Sequence, residues 1–237
     1  MYLHEDDLLP QSLYSARAVR EIDRIAIEEQ GINGFELMTK AARFSFHTLI
    51  KAWPNTRQLV VLCGSGNNAG DGYIIASLAK KRALSVHVLF AASPDMLKGD
   101  ALIAYQHCKQ DNIPCTAFQQ EHLEQLCDDT HTVIVDALLG TGLNSTIEGI
   151  YAEIIHACNS QHCPVITIDI PSGLSANTGQ ALGCAIKADI TSTFIGLKIG
   201  LFTGAGRHYS GNIAFSALDL PKNILDQAAP LAEKLAL

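Results

Sequence analysis

Polar residues follow three apolar segments of this chain, and their types suit proton transfer and the binding of an anion or a cation. Residues 59–63 run into GSGNNAGDG, residues 132–136 into ALLGTG, and residues 164–169 into IPSG. In an open parallel sheet the carboxyl ends of the strands lie along one edge, and ligands bind in the crevice there. We therefore expect these three glycine-containing segments to converge on one site.

The first segment, 64–72, has four glycines in nine residues and lies between an apolar strand and a helix. Glycines let a ligand approach the backbone, and a helix N-terminus offers free N–H groups to a phosphate. Gly64, Gly66 and Ala69 fit the dinucleotide fingerprint, but the acidic residue expected about 20 positions later is absent, as is the GK[ST] of a P-loop. The pattern disfavours a standard nicotinamide-dependent dehydrogenase. It leaves a nucleotide-like ligand, or a tight turn that binds nothing.

Two aspartates, Asp136 and Asp169, each end an apolar strand. A buried carboxylate needs a cation, a metal or N–H donors as its partner. The alternative is that either residue caps the loop or helix that follows. Asn68 and Ser172 would add side-chain oxygens in the same crevice, and an all-oxygen set suits a hard cation rather than zinc.

Lys198 follows a predicted strand over 189–195, in the sequence GLKIG. Two interpretations remain open for it. It is an ordinary solvated lysine, or it reaches the crevice, where it holds phosphate or assists proton transfer. We interpret Thr191 and Thr193 as ordinary strand residues.

The elements that must position these residues alternate between strands and helices, which predicts an α/β fold with a parallel sheet and helices on both faces. The predicted strands are 59–63, 85–90, 114–118, 132–136, 164–169, 189–195 and 212–215. The predicted helices are 15–30 (capped by Ser15), 35–53, about 72–82, 97–110 and about 148–158. We expect one domain over 1–237, with a helical lead at about 12–55 and a core at about 56–220. The tail after Asp219 predicts a weak helix or a domain edge.

Composition narrows the class of protein. The net charge of −7 argues against a nucleic-acid partner. No apolar run approaches the roughly 20 residues of a membrane span, and the N-terminus has no basic-then-apolar signal pattern. The seven cysteines are odd in number and form no CxxC pair, which indicates free thiols in a reducing compartment. We expect a cytoplasmic protein that binds neither membrane nor nucleic acid.

Four motifs in this order, GSGNNAGDGY, VDALLGTGL, IDIPSGL and TFIGLKIGL, resemble the YjeF N-terminal domain family, whose enzymatic members are NAD(P)H-hydrate epimerases. The resemblance covers nearly the whole chain and implies a Rossmann-like three-layer α/β/α fold. The substrate-binding residues that it implies are Asn67, Asn68, Ala69, Gly70, Asp71, Gly140, Thr141, Gly142, Leu143, Asn144, Ser145, Thr146 and Asp169. It also implies a potassium ion bound by Asn68, Asp136 and Ser172.

The activity implied by the resemblance is interconversion of the R and S epimers of hydrated NADH and NADPH, which carry a hydroxyl on C6 of the nicotinamide ring. We expect Asp169 to be the general acid and base at that hydroxyl, with help from Lys198. The resemblance further implies a homodimer and a dehydratase as functional partner, either as a separate protein or fused to this domain in a longer one. Two alternatives stay open: a non-catalytic ligand-binding or scaffold domain, and an enzyme for another nucleotide or adenosyl ligand.

Overall fold

A computed structural model describes residues 9–127 and 130–234 of the chain. Its strands are β1 (Ser12–Tyr14), β2 (Gln58–Cys63), β3 (Ser85–Phe90), β4 (Cys115–Ala117), β5 (Thr132–Ala137), β6 (Val165–Ile168), β7 (Ile190–Phe194), β8 (Leu197–Lys198), β9 (Asn212–Ser216) and β10 (Ala232–Glu233). Its α-helices are α1 (Ala16–Arg24), α2 (Gly34–Ala52), α3 (Asn67–Lys81), α4 (Gly99–Gln110), α5 (Gln120–Cys127), α6 (Gly149–Asn159), α7 (Gly206–Ser210) and α8 (Lys222–Leu225).

Seven of the strands form one sheet in the order β4-β3-β2-β5-β6-β7-β9. Every neighbouring pair in it is parallel. The chain runs outward from β2 to β3 and β4 on one side, then returns to place β5 on the other side of β2. Between β2 and β5 the direction of winding reverses, and a crevice opens at the carboxyl ends of strands at such a point. The predicted Rossmann-like parallel sheet is confirmed.

Both faces of the sheet are covered, because successive side chains of a strand point to opposite faces. On β2, Leu59 and Val61 join a core cluster with residues of α1, α2, α3 and α4. Val60 and Leu62 join a second cluster with residues of α5 and α6. The two clusters give the three-layer α/β/α arrangement. No helix in the described part of the chain is both long and apolar enough to cross a membrane.

The helical lead forms where the sequence predicts it. Ser15 caps α1 by accepting a hydrogen bond from the backbone N–H of Ala18 at 3.1 Å. The helix then continues as a π-helical turn over Ile25–Glu29. Asn33 caps α2 in the same way through the N–H of Glu36. These caps satisfy N–H groups that a helix start leaves free.

Several features depart from the sequence prediction. Helix α3 begins at Asn67 rather than near Gly72, so the predicted first loop is largely helical. Helices α5 and α7 were not predicted. The weak helix predicted after Asp219 appears as the short α8, but the strands β1, β8 and β10, which form a separate sheet of order β10-β1-β8, were not predicted. In that sheet Tyr14 of β1 lies in register with Lys198 of β8, so the lead and the tail together support the strand that carries this lysine.

Candidate active site

A pocket of about 550 Å³ lies at the carboxyl edge of the sheet, within the range of about 300–1,000 Å³ usual for ligand sites. The structure brings most of the predicted site residues to its walls: Asn67, Asn68, Asp71, Gly140, Thr141, Gly142, Leu143, Asn144, Ser145, Asp169 and Lys198. Ala69, Gly70 and Thr146 are not among the lining residues. Asp136 and Ser172 are fully buried and line no part of the pocket. The three segments therefore converge as predicted. Some of their residues line the pocket, and Asp136 and Ser172 form a buried layer beneath it.

The first turn of α3 forms one wall. Asn67 and Asn68 belong to this turn, Asp71 follows it in the same helix, and Gly66 precedes it in an extended conformation. The helix begins early because its small residues let it pack closely: a Cβ at Gly70 would lie 2.6 Å from the sulfur of Met38, and one at Gly72 would lie 2.7 Å from the Cβ of Ala137. A helix N-terminus with free N–H groups and positive potential thus points into the pocket, which suits an anionic ligand.

A close backbone contact joins the first and second segments. A Cβ at Gly64 would lie 1.9 Å from the carbonyl oxygen of Leu138, so only glycine fits there. At Gly66 nothing lies within 4 Å of such a Cβ. The two glycines of the GSG motif therefore differ. The backbone contact requires glycine at position 64, whereas Gly66 borders open space.

Asp136 lies beneath the pocket in a network of neutral donors. Its Oδ1 accepts hydrogen bonds from Ser172 Oγ at 2.6 Å and from the N–H of Leu138 at 3.2 Å. Its Oδ2 accepts from the Ser172 N–H at 2.9 Å and from Thr167 Oγ1. Burial raises the pKa of the Asp136 carboxyl, and the hydrogen bonds from Ser172 and Thr167 oppose that rise. Asp136 does more than cap the segment that follows it, because it also accepts hydrogen bonds from Thr167 of β6 and from Ser172.

The oxygens around Asp136 have the chemistry of a hard-cation site. The Ser172 hydroxyl also accepts from the N–H of Leu139 at 2.9 Å and lies 3.2 Å from the Leu139 carbonyl oxygen. Asn68 lies beside Gly140, the residue after Leu139, since its Oδ1 would lie 3.7 Å from a Cβ placed on Gly140. Its buried Nδ2 has no hydrogen-bond partner within the described ranges. Carboxylate, hydroxyl, amide and carbonyl oxygens are what such ions prefer, so the residues present fit the expected cation.

Lys198 is buried and forms an ion pair with Asp169. Only 1% of its side chain is exposed, against 19% for Asp169, so the interpretation as an ordinary solvated lysine is wrong. Its Nζ donates to Asp169 Oδ1, to Thr193 Oγ1 at 3.0 Å and to the Phe194 carbonyl oxygen at 3.0 Å. Thr193, which the sequence presents as an ordinary strand residue, therefore helps to hold the lysine.

Backbone strain accompanies this pair. Asp169 has a φ of +70° and Ile195 one of +67°, a left-handed conformation that is uncommon for aspartate and an outlier for a β-branched residue. Each costs on the order of 1–3 kcal/mol, and such strain concentrates at functional sites. Asp169 turns the chain just after β6, and Ile195 turns it just after β7, so that Lys198 and the carboxylate meet.

Two charged residues of α1 complete the pocket, and sequence reasoning missed both. Arg20 donates from Nη1 to the carbonyl oxygen of Thr141 at 3.1 Å, and Asp23 lines the same wall. Burial raises the pKa of the Asp23 carboxyl, the charge of Asp169 raises it further, and Lys198 opposes both. Arg20 and Asp23 are three residues apart and so share a helix face. The sequence shows this spacing, but the same spacing is typical of a helix face exposed to solvent.

A family model and several known proteins match this chain. Residues 34–200 match the family model described as YjeF-related protein N-terminus. The bifunctional NAD(P)H-hydrate repair enzyme Nnr of Coxiella burnetii is 38% identical over 211 residues, covering 89% of this chain and 42% of that protein. Its Escherichia coli namesake is 37% identical over 213 residues, covering 90% and 40%. The chain therefore spans less than half the length of these relatives.

A solved structure shares the fold. The crystal structure of yeast ynu0 (YNL200c) superposes with a TM-score of 0.77 over 93% of this chain and 95% of the yeast chain, at 16% sequence identity. At that identity the likeness supports the fold alone.

Proposed function

Because the chain belongs to the family of YjeF-related N-terminal domains, we propose that it is an isomerase that interconverts the R and S epimers of hydrated NADH and NADPH. The observation that carries the proposal is the position of the Lys198–Asp169 ion pair. The pair lines the same pocket as the N-terminus of α3 and the segment 140–145. A dinucleotide needs both an anion-binding wall and a group that can act on its ring.

The pocket walls suit the two ends of such a substrate. The pyrophosphate would rest on the N-terminus of α3 beside Asn67 and Asn68, where free N–H groups favour phosphate. Arg20 is the exposed cation of the pocket, and its hydrogen bond to Thr141 directs it over the second segment. The residues Gly140 to Thr146 would then close over the substrate.

The chemistry at C6 needs a carboxylate near a developing cation. The ring nitrogen lone pair forms a C=N bond as the C6–O bond breaks, and the hydroxyl leaves as water once it has gained a proton. Water can add again from either face of the planar cation, which interconverts the epimers. Asp169 would stabilise the cation and accept a proton from the entering water. Lys198 holds that carboxylate in place through their ion pair.

A potassium ion is proposed for the oxygens of Asn68, Asp136 and Ser172. It would supply a fixed positive charge when bound. Asp136 and Ser172 already join the segment 138–139 to the chain after β6 through hydrogen bonds. The bound ion would therefore help to hold this wall of the pocket in position.

The setting of the enzyme is part of the same proposal. Its relatives are named as bifunctional repair enzymes, so we propose a hydrated-NAD(P)H dehydratase as its functional partner, on a longer chain or as a separate protein. We also propose a cytoplasmic homodimer. Analytical ultracentrifugation of the purified protein tests the dimer, since a single species at the monomer mass of 25.5 kDa would contradict it.

The test of the activity is a chromatographic assay of purified R-form hydrated NADH with and without the protein. The spontaneous rate is subtracted, and potassium buffer is compared with an equal concentration of sodium buffer. We expect faster appearance of the S epimer, more so in potassium. A folded protein that adds nothing to the spontaneous rate would overturn the epimerase and leave a binding module or an enzyme for another ligand.

A further inference from the structure

Four carboxyl groups and one lysine line the pocket. Asp23 comes from α1, Asp71 from the N-terminal part of α3 and Asp100 from α4, whereas Asp169 directly follows β6 and Lys198 lies on β8. The lysine bonds to only one of the four carboxyls, Asp169. Within the described residues, none of the other three carboxyls forms an ion pair.

Lys198 has no donor left for Asp71. An ammonium group has three N–H donors, and all three are used, by Asp169, Thr193 and the Phe194 carbonyl. Asp71 is half-buried as a residue, but its Oδ1 is buried and has no hydrogen-bond partner in the part of the chain that the structure describes. A buried carboxylate oxygen without a donor or cation is costly, and a carboxyl so placed keeps its proton instead.

The charges around Asp71 also favour the protonated form of its carboxyl. Burial raises the pKa of the Asp71 carboxyl well above its ordinary value, and the charges of Asp169 and Asp23 raise it further. Helix α2 presents apolar side chains to the pocket, including Leu37 and Met38. The other charged groups that line the pocket are Arg20, Asp23, Asp100, Asp169 and Lys198.

We propose that Asp71 is the proton donor at C6, while Asp169, held as a carboxylate by Lys198, stabilises the cation. This inference rests on the proposed epimerase function. It divides between two residues the acid and base roles that the sequence suggested for Asp169 alone. Asp71 would then be a catalytic residue rather than only a contact to the substrate.

The proton and electron movements balance. The Asp71 carboxyl gives its proton to the C6 oxygen, the C6–O bond breaks with its electron pair on oxygen, and water leaves as the ring nitrogen forms the C=N bond. A water molecule then adds to C6 and returns one proton to the carboxylates of the pocket. Nothing is oxidised or reduced, and the site ends with the number of protons with which it began.

The charge state of Asp71 is measurable without substrate. The protein is labelled with ¹³C at the aspartate side-chain carbonyl, and the spectra of the wild type and Asp71→Asn identify the Asp71 signal. We expect this signal to keep the shift of a protonated carboxyl between about pH 5 and pH 8, where an ordinary aspartate is ionised. A signal that titrates at the ordinary aspartate pKa would overturn the proposal whatever the activity.

Kinetics then test the role. Asp71→Asn keeps the shape and neutral charge of the protonated side chain but carries no acidic proton. We expect kcat for hydrated NADH to fall about 100-fold or more, with KM changed by less than about threefold. Asp95→Asn, an exposed aspartate outside the pocket, is the matched control and should behave as wild type. Normal turnover in Asp71→Asn would overturn the proposal.

A second variant separates a proton donor from a structural residue. Asp23→Asn removes a negative charge that raises the pKa of Asp71, so Asp71 should lose its proton at lower pH. We expect the alkaline limb of the wild-type pH–kcat profile to move to lower pH by about half a unit or more. An unmoved limb would contradict the donor role. If the wild type itself has no epimerase activity although Asp71 is protonated, the proposed reaction fails and the charge assignment stands.

Discussion

Asp136 lies near the end of β5 and Asp169 directly follows the neighbouring strand β6, yet the two carboxyls are held in opposite ways. Asp136 is fully buried and accepts hydrogen bonds from Ser172, Thr167 and Leu138, all neutral donors. Asp169 reaches the pocket and is paired with a single buried lysine, and the half-buried Asp71 lines the same pocket. A carboxylate whose hydrogen bonds are all made fixes structure. One that depends on a single cation beside an unsatisfied neighbour is placed to exchange protons.

The largest expected effect is at Asp169. In Asp169→Asn we expect turnover to fall about 10²- to 10⁴-fold, because the carboxylate that stabilises the cation is gone. The same change leaves the buried Lys198 without a counter-charge, which costs about 3 kcal/mol of stability. Activity assays and urea unfolding measure the two losses.

A second substitution separates these losses. Adding Lys198→Met to Asp169→Asn removes the unpaired charge, so stability should recover while turnover does not. If turnover recovers together with stability, the defect of Asp169→Asn was one of folding, and the contrast with Asp136 fails.

The two glycines of the GSG motif give the next effect. Gly64→Ala must push back the Leu138 carbonyl oxygen, and we expect a loss of about 3 kcal/mol in unfolding free energy. Gly66→Ala, two residues away in the same motif, meets no atom within 4 Å and should change stability by no more than about 0.5 kcal/mol. Equal effects in urea unfolding would show that the Gly64 contact does not hold the buried side of the site.

At Asp136 itself the expected loss is in stability first. Asp136→Asn turns one acceptor into an N–H₂ group that faces donors from Ser172 or Thr167, which costs about 2 kcal/mol. No change at a lysine should repair this, because the partners are neutral. Chemical unfolding of Asp136→Asn with and without Lys198→Met checks the contrast. Repair by the lysine change would mean that the two carboxylates share one charge network.

The pH dependence of stability follows from the raised carboxyl pKa values. Burial raises the pKa of Asp71 and of Asp136 above the unfolded value, so the folded state binds more protons than the unfolded state once the pH exceeds about 4. Stability should therefore fall as pH rises from there through the folded pKa, by at most about 1.4 kcal/mol per pH unit for one group. In Asp71→Asn the decline should be shallower. An identical slope in urea titrations of both proteins would count against a protonated Asp71.

The smallest effect is expected at Arg20. Arg20→Gln removes an exposed cation from the pocket wall, and KM for the hydrated cofactor should rise by no more than about fivefold with kcat unchanged. Arg24, one turn further along α1, pairs with Glu21, Glu28 and Glu29 outside the pocket, so Arg24→Gln is the control. The same KM in both variants would remove Arg20 from the binding wall.

Much of the fold could be predicted because its signals are local. The apolar β-branched runs of β2 and β5 and the cap at Ser15 depend on a few adjacent residues, and each appears where the sequence places it. The start of α3 and the strands β1 and β10 could not be predicted. Asparagine and glycine disfavour a helix by themselves, and packing against Met38 and β5 overrides that preference. The strands β1 and β10 are two or three residues long and form only by pairing with each other and β8.

The sequence by itself determined that three glycine-containing strand ends meet at one edge of a parallel sheet, because the βαβ pattern dictates the direction of every strand. It also predicted that the Ser172 oxygen lies beside Asp136. Only the tertiary structure decided the charges: Lys198 is buried against Asp169, its donors are all used, and within the described residues neither Asp71 nor Asp23 forms an ion pair although both line the pocket. Charge states depend on distances between residues far apart in the chain and on burial, and neither is set by the spacing of residue types.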